Sequence, residues 1–316
     1  MSTAHKVTVV GAGYVGMTCA QRLCQLELCR EVVLIDVKAG RAQGIALDLA
    51  QAAAIEGYGT RVIGTGDPAR TAGSDLVIMT AGRPRAPGMS RSDLLEVNGR
   101  VVRSVAEYVR QGSPDAFVIV VTNPLDSMVQ LMRQALGFPG KRVVGMAGVL
   151  DSARFSMFLA EAAKVGIADV DAMVLGAHGD SMVPVLDFCT VGGIPAKHLL
   201  PRSTLEALAG RTRNGGAEIV KLLETGSAFY APACSWACPP CWGRAVSNAS
   251  SSCRSIPKRA SPCRRPPGRW PRTSTSCASW ACTDPDRRRA PIAVFFSLPD
   301  EHPHRDRLLR PDRSPG

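Results

Sequence analysis

The sequence predicts an α/β fold built on a doubly wound parallel sheet, with an incomplete α+β region behind it and an irregular C-terminal stretch. Three observations predict this. Short apolar, β-branched runs alternate with helical patterns from residue 6 to residue 145, which implies parallel strands joined by crossover helices. The first run ends in a glycine turn that opens a helix. The composition then changes abruptly after Ala233. At 316 residues the chain is long enough for two lobes and a sizeable core.

Residues 6–10 read as the first strand. Gly11, Ala12, Gly13, Tyr14, Val15 and Gly16 follow at once, and a helical pattern runs on to about Glu27. Glycines at such a turn let backbone N–H groups approach a pyrophosphate at the helix N-terminus. Residues 31–36 form a second strand ending in Asp36, 20 residues after Gly16. A carboxylate there accepts hydrogen bonds from an adenosine ribose and repels a 2′-phosphate, which favours NAD over NADP. The bland alternative is a turn aspartate after a strand.

Residues 76–80 read as a buried strand that leads into a Pro/Gly-rich loop at residues 82–91. Arg85 and Arg91 stand six residues apart in this loop. Guanidinium groups grip carboxylates through paired hydrogen bonds, so a small anionic substrate is expected at this strand end. Standing alone, the loop would read as solvated and basic. A helical pattern at residues 93–109 follows, with Leu94, Leu95, Val97, Val101, Val102, Val105 and Val109 apolar. Residues 116–121 and 142–145 are further strands. The first of these ends in Val121, Thr122 and Asn123 before a proline, which aims Asn123 at the crevice where a nicotinamide would lie. An ordinary turn asparagine is the alternative.

Asp151 and Arg154 are three apart, on one face of a helix start. A surface ion pair would explain the spacing equally well. Residues 172–177 read as a strand that delivers His178 between glycines. Small neighbours let a substrate approach a histidine closely; a hydrogen-bonded structural histidine is the competing reading. His5, His198, His302 and His304 have no such setting.

These motifs together resemble the NAD-dependent lactate/malate dehydrogenase family, and most of all its bacterial malate-specific, lactate-dehydrogenase-like branch. The resemblance covers about residues 4–233. It implies a Rossmann lobe at residues 1–147 and a partial substrate lobe at 148–233. The glycine turn, Asp36, Asn98, Val121, Thr122 and Asn123 would bind NAD. His178 would be the proton acceptor and Asp151 its carboxylate partner. Arg154 would grip the C1 carboxylate of a 2-hydroxy acid, Arg91 would polarise the C2 oxygen, and Ser227 would border the substrate. Lactate-specific members carry glutamine at the place of Arg85. An arginine there pairs with a second carboxylate, so malate/oxaloacetate is the expected substrate. The resemblance further implies an oxidoreductase of the tricarboxylic acid cycle and a homo-oligomer. A lactate or other 2-hydroxy-acid dehydrogenase is the nearest alternative. A non-catalytic NAD-binding remnant is the other.

The net charge of +11 is unevenly spread. Residues 1–233 carry a net +2, and residues 234–316 carry +9 with seven of the 11 cysteines and all four tryptophans. No apolar run reaches the roughly 18 residues of a membrane span. The N-terminus lacks the layout of a secretory signal, so a cytoplasmic location with reduced thiols is expected. The tail shows no sustained period of 2 or 3.6, and its Pro/Arg/Ser-rich composition reads as disordered. Cys234, Cys238 and Cys241 find no second ligand pair for zinc, so no metal is expected. The basic charge is a weak argument for nucleic acid. A shift of reading frame accounts for the tail better. In residues 250–255, TCN serine codons read from the preceding third base give NTC, always Phe, Leu, Ile or Val. The hidden frame is then an apolar strand.

Overall fold

The computed structural model describes residues 4–84, 90–179 and 181–224, with Arg91 described by its backbone alone. Arg85, Ser227 and the tail at 234–316 lie outside the described residues.

The first lobe comprises β1 (Ala4–Val10), α1 (Tyr14–Gln25), β2 (Cys29–Ile35), α2 (Ala39–Glu56), β3 (Arg61–Thr65), β4 (Leu76–Met79), α3 (Arg91–Gly112), β5 (Phe117–Val120), α4 (Leu125–Leu136) and β6 (Val143–Gly145). The six strands pair in parallel in the order β3-β2-β1-β4-β5-β6. Chain order runs outward in both directions from β1. The switch point therefore lies between β1 and β4, where α/β sheets of this kind bind ligands at the strand C-termini.

Strand alternation explains why both faces are covered. Leu76, Ile78, Phe117 and Ile119 pack on one side with Leu23 and Leu34. Val77, Met79, Val118 and Val120 point the other way, onto Val102, Val105, Met128 and Met132. Both sets are buried, so these strands read as continuous apolar runs. Each such side chain contributes about 1.5–3 kcal/mol on burial. The expected strands and α1 appear at these places with ends moved by a few residues. The sequence reading missed β3, whose residues are only half-buried or exposed.

The second region holds α5 (Gly148–Ala163), β7 (Val170–Asp171), β8 (Val174–Leu175), β9 (Val183–Pro184), β10 (Thr190–Val191), β11 (Ile194–Pro195) and α6 (Arg202–Leu223). Strand β10 pairs antiparallel with β7 and β11, and β8 pairs with β9. The strand expected over 172–177 is two residues long, because its partner β9 is equally short and the Val174 N–H is taken by Ser152 Oγ on α5 at 2.9 Å. Phe155, Leu159, Val174, Met182 and Leu205 form the core of this region.

Candidate active site

The first part of the site is the turn between β1 and α1. Gly11 has φ +101°, and a Cβ there would stand 2.7 Å from the Ala81 backbone. A Cβ on Gly16 would stand 1.8 Å from the Gly11 carbonyl oxygen. Only glycine lets the helix approach the strand end this closely. Gly13 caps α1 without a side-chain acceptor, and the first turn carries no acid. The helix thus turns the positive end of its dipole toward this turn, with no side chain capping it, the arrangement that receives a phosphate. Asp36 follows β2 beside this turn. Its Oδ2 accepts the Ala12 N–H at 2.7 Å and its Oδ1 the Lys38 N–H at 2.9 Å. Each carboxylate oxygen keeps acceptor capacity for a ribose hydroxyl. These residues fit a dinucleotide.

The second part lies past β4 and β5. The Thr80 hydroxyl donates to the Val10 carbonyl at 2.9 Å, tying the ends of β4 and β1 together. The buried Thr122 hydroxyl donates to the Ala81 carbonyl at 2.7 Å. Asn98, on α3, is 1% exposed. Its Oδ1 accepts the Arg83 N–H at 2.7 Å, while Nδ2 donates to the carbonyls of Arg83 at 3.1 Å and Asn123 at 2.6 Å. Both amide donors of Asn98 are thus spent on two loops, leaving only acceptor capacity on Oδ1. Ser90 caps α3 reciprocally with Asp93, so Arg91 is the helix's first residue. Asn123 is exposed at the end of β5, between Thr122 and Pro124.

The third part is carried by α5 and the loop after β8. Asp151 is 1% exposed. Its Oδ1 accepts from Arg154 NH1 at 2.9 Å and its Oδ2 lies 2.8 Å from His178 Nδ1. The pair of Asp151 and Arg154 is therefore no surface ion pair. The bond from Ser152 to Val174 anchors β8 on α5, which brings His178 to Asp151. An ionised carboxylate only accepts, so Nδ1 donates to it, and in the neutral ring that leaves Nε2 as the base. A base held this way can take a proton from a hydroxyl within reach. Arg213 Nε on α6 donates to the Met182 carbonyl at 3.2 Å, holding the far side of the same loop. Sequence reasoning missed Ser152, Arg213 and the glycine pair Gly215 and Gly216. Two adjacent glycines inside a helical pattern were the available signal.

Residues 5–145 match the lactate/malate dehydrogenase NAD binding domain, and residues 148–241 match the lactate/malate dehydrogenase alpha/beta C-terminal domain. The chain is 54% identical over 230 residues to the malate dehydrogenase of Chloroherpeton thalassium, covering 73% of this chain and 74% of that one. It is 55% identical over 228 residues to the malate dehydrogenase of Nostoc punctiforme, covering 72% of this chain and 69% of that one. Among solved structures, the malate dehydrogenase of Salinibacter ruber superposes with a TM-score of 0.69 at 46% identity, covering 73% of each chain. The lactate dehydrogenase of Cryptosporidium parvum, solved with lactic acid and nicotinamide adenine dinucleotide, gives 0.70 at 41% identity, over 75% of this chain and 76% of that one.

Proposed function

This chain belongs to the lactate/malate dehydrogenase family, and we propose that its two parts work together as an NAD-dependent malate dehydrogenase. The reaction is reversible hydride transfer between (S)-malate and NAD, giving oxaloacetate. The observation that carries this reading is the buried Asp151 carboxylate, bonded at once to His178 and Arg154.

NAD, when bound, supplies the hydride acceptor. The turn at Gly11, Ala12, Gly13, Tyr14, Val15 and Gly16 would hold the pyrophosphate, and Asp36 the adenosine ribose. Asn98, Val121, Thr122 and Asn123 border the nicotinamide end; Asn98 and Thr122 act there largely through the backbone that they fix. His178 Nε2 takes the C2 hydroxyl proton. Asp151 holds the ring and stabilises the imidazolium that forms. Arg154 grips the C1 carboxylate through paired hydrogen bonds. Arg91 and Asn123 act on the C2 oxygen, where charge develops, the kind of preorganised electrostatics that is often the largest catalytic contribution. Ser227 lines the substrate.

Arg85 decides between dicarboxylate and monocarboxylate. Its guanidinium pairs with the second carboxylate of oxaloacetate. Left unpaired and desolvated by pyruvate, it costs on the order of several kcal/mol. We assign residues 1–147 to cofactor binding, 148–233 to the partial substrate lobe and 234–316 to an anomalous tail. Among the described residues no helix is long and apolar enough to cross a membrane. We place the protein in the cytoplasm as a homo-oligomer, as its family membership favours.

The test is His178→Asn. It should abolish NADH oxidation with oxaloacetate while NADH still binds. Retained turnover would remove His178 from the role of base.

A further inference from the structure

Helix α6 contains a feature that the catalytic reading leaves unused. Gly215 and Gly216 sit together in the interior of a 22-residue helix, where glycine is among the poorest helix formers. Neither adopts a left-handed backbone, so conformation does not demand them. Space does. Gly215 is buried, and a Cβ built on it would stand 3.2 Å from Arg154 Cδ and 3.7 Å from Arg154 Nε. A Cβ on Gly216 would stand 3.6 Å from Arg154 NH2 and 3.8 Å from NH1. The arginine therefore lies along the bare helix, its neck over Gly215 and its fork over Gly216.

Arg154 has little freedom to yield. NH1 is bonded to the buried Asp151 carboxylate at 2.9 Å, and the arginine side chain is only 13% exposed. Its Nε is buried and has no hydrogen-bond partner among the described residues. A polar atom in that position gains nothing from its surroundings, so its place is set by packing and by the Asp151 bond. A Cβ on Gly215 would stand closer than ordinary van der Waals contact, and one on Gly216 would stand at ordinary contact.

We infer that Gly215 is a positioning residue for the substrate reaction: its missing side chain is the seat on which Arg154 lies, and it sets where the guanidinium meets the substrate's C1 carboxylate. The inference rests on the proposed role of Arg154. Gly216 serves the same seat more loosely. Because Arg154 and His178 share Asp151, the seat also holds the carboxylate grip in register with the base.

The experiment uses the full chain and compares wild type with Gly215→Ala and Gly216→Ala. Gly215→Ala should raise the KM for oxaloacetate about tenfold or more, with a smaller change in kcat and unchanged NADH affinity. Gly216→Ala should change KM less than threefold, since its new Cβ would make only an ordinary contact. Alanine is the better helix former, so a position that serves only the helix would gain thermal stability from the change and keep its kinetics. A double-mutant cycle in melting temperature separates the seat from the catalytic assignment. Gly215→Ala should lower the melting temperature when Arg154 is present and raise it in an Arg154→Ala background. If the wild-type chain turns over no 2-oxo acid, the catalytic reading fails and the cycle alone decides the seat. Gly215→Ala with wild-type KM, or with the same stability change in both backgrounds, overturns the inference.

Discussion

Asp151 Oδ2 lies 2.8 Å from His178 Nδ1 while Oδ1 accepts from Arg154 at 2.9 Å, so one buried carboxylate orients both a base and a cation. Its own exposure is 1%. Asp151→Asn keeps the shape, removes the charge and presents an amide to one of two donors. It should lower kcat by roughly two orders of magnitude or more, since a misoriented histidine loses its tautomer and the imidazolium its stabilising charge. NADH affinity, read by fluorescence titration, should stay within about threefold, as nothing else in the cofactor turn changes. A kcat near wild type would show that His178 is oriented by something other than Asp151.

Asp36 faces the glycine turn through its bond to the Ala12 N–H. Asp36→Ser should weaken NADH binding on the order of tenfold and let NADPH support measurable oxidation of substrate, because the charge that repels a 2′-phosphate is gone. Steady-state kinetics with both cofactors decides this. Unchanged discrimination would place the specificity elsewhere.

Cys24 and Cys29 are buried in the first core, and burial pushes both thiols up to about 12. In the unfolded chain a thiol titrates near 8.5. Between these values the native state holds protons that the unfolded chain has released, so stability is fully present below about pH 8.5 and falls as pH rises toward 12. Each thiol contributes a slope of up to about 1.4 kcal/mol per pH unit. Urea denaturation from pH 8 to 11 measures it. A Cys24→Ala/Cys29→Ala variant should show a shallower alkaline slope, and an unchanged slope would mean that other groups govern it.

The match to the Chloroherpeton thalassium protein covers 73% of this chain and 74% of the relative, so the unmatched shares are nearly equal. A change of reading frame replaces every residue beyond one codon, which fits the composition break after Ala233. Nucleotide sequencing across the Ala233 codon should therefore find an inserted or deleted base, with the family-like strand in the alternative frame. An intact frame together with tail peptides found by mass spectrometry would make the tail a genuine part of the protein.

Much of this was legible in the amino-acid sequence, for physical reasons that differ by residue. The strands around Val7, Ile78 and Ile119 are buried on both faces, so their apolar runs stand out. Gly11, Gly16 and Asp36 form a local pattern at fixed spacing, and His178 announced itself by its small neighbours. The rest depends on contacts between distant segments. Spacing alone left Asp151 and Arg154 indistinguishable from a surface pair, because the burial comes from β8 and α6. Asn98 reads as a cofactor contact from its sequence place, but the use of its amide donors on the carbonyls of Arg83 and Asn123, 15 and 25 residues away, shows only in the fold. The two-residue strands from β7 to β11 carry no period long enough to detect.

The most direct test of the whole account is the ratio of kcat/KM for oxaloacetate to that for pyruvate, measured by NADH oxidation with the full 316-residue chain. The account predicts a ratio of about 10³ or more in favour of oxaloacetate, set by Arg85, and a fall of at least about tenfold in that ratio for Arg85→Gln. A ratio below one, or no turnover of either acid by a chain that binds NADH, would contradict it.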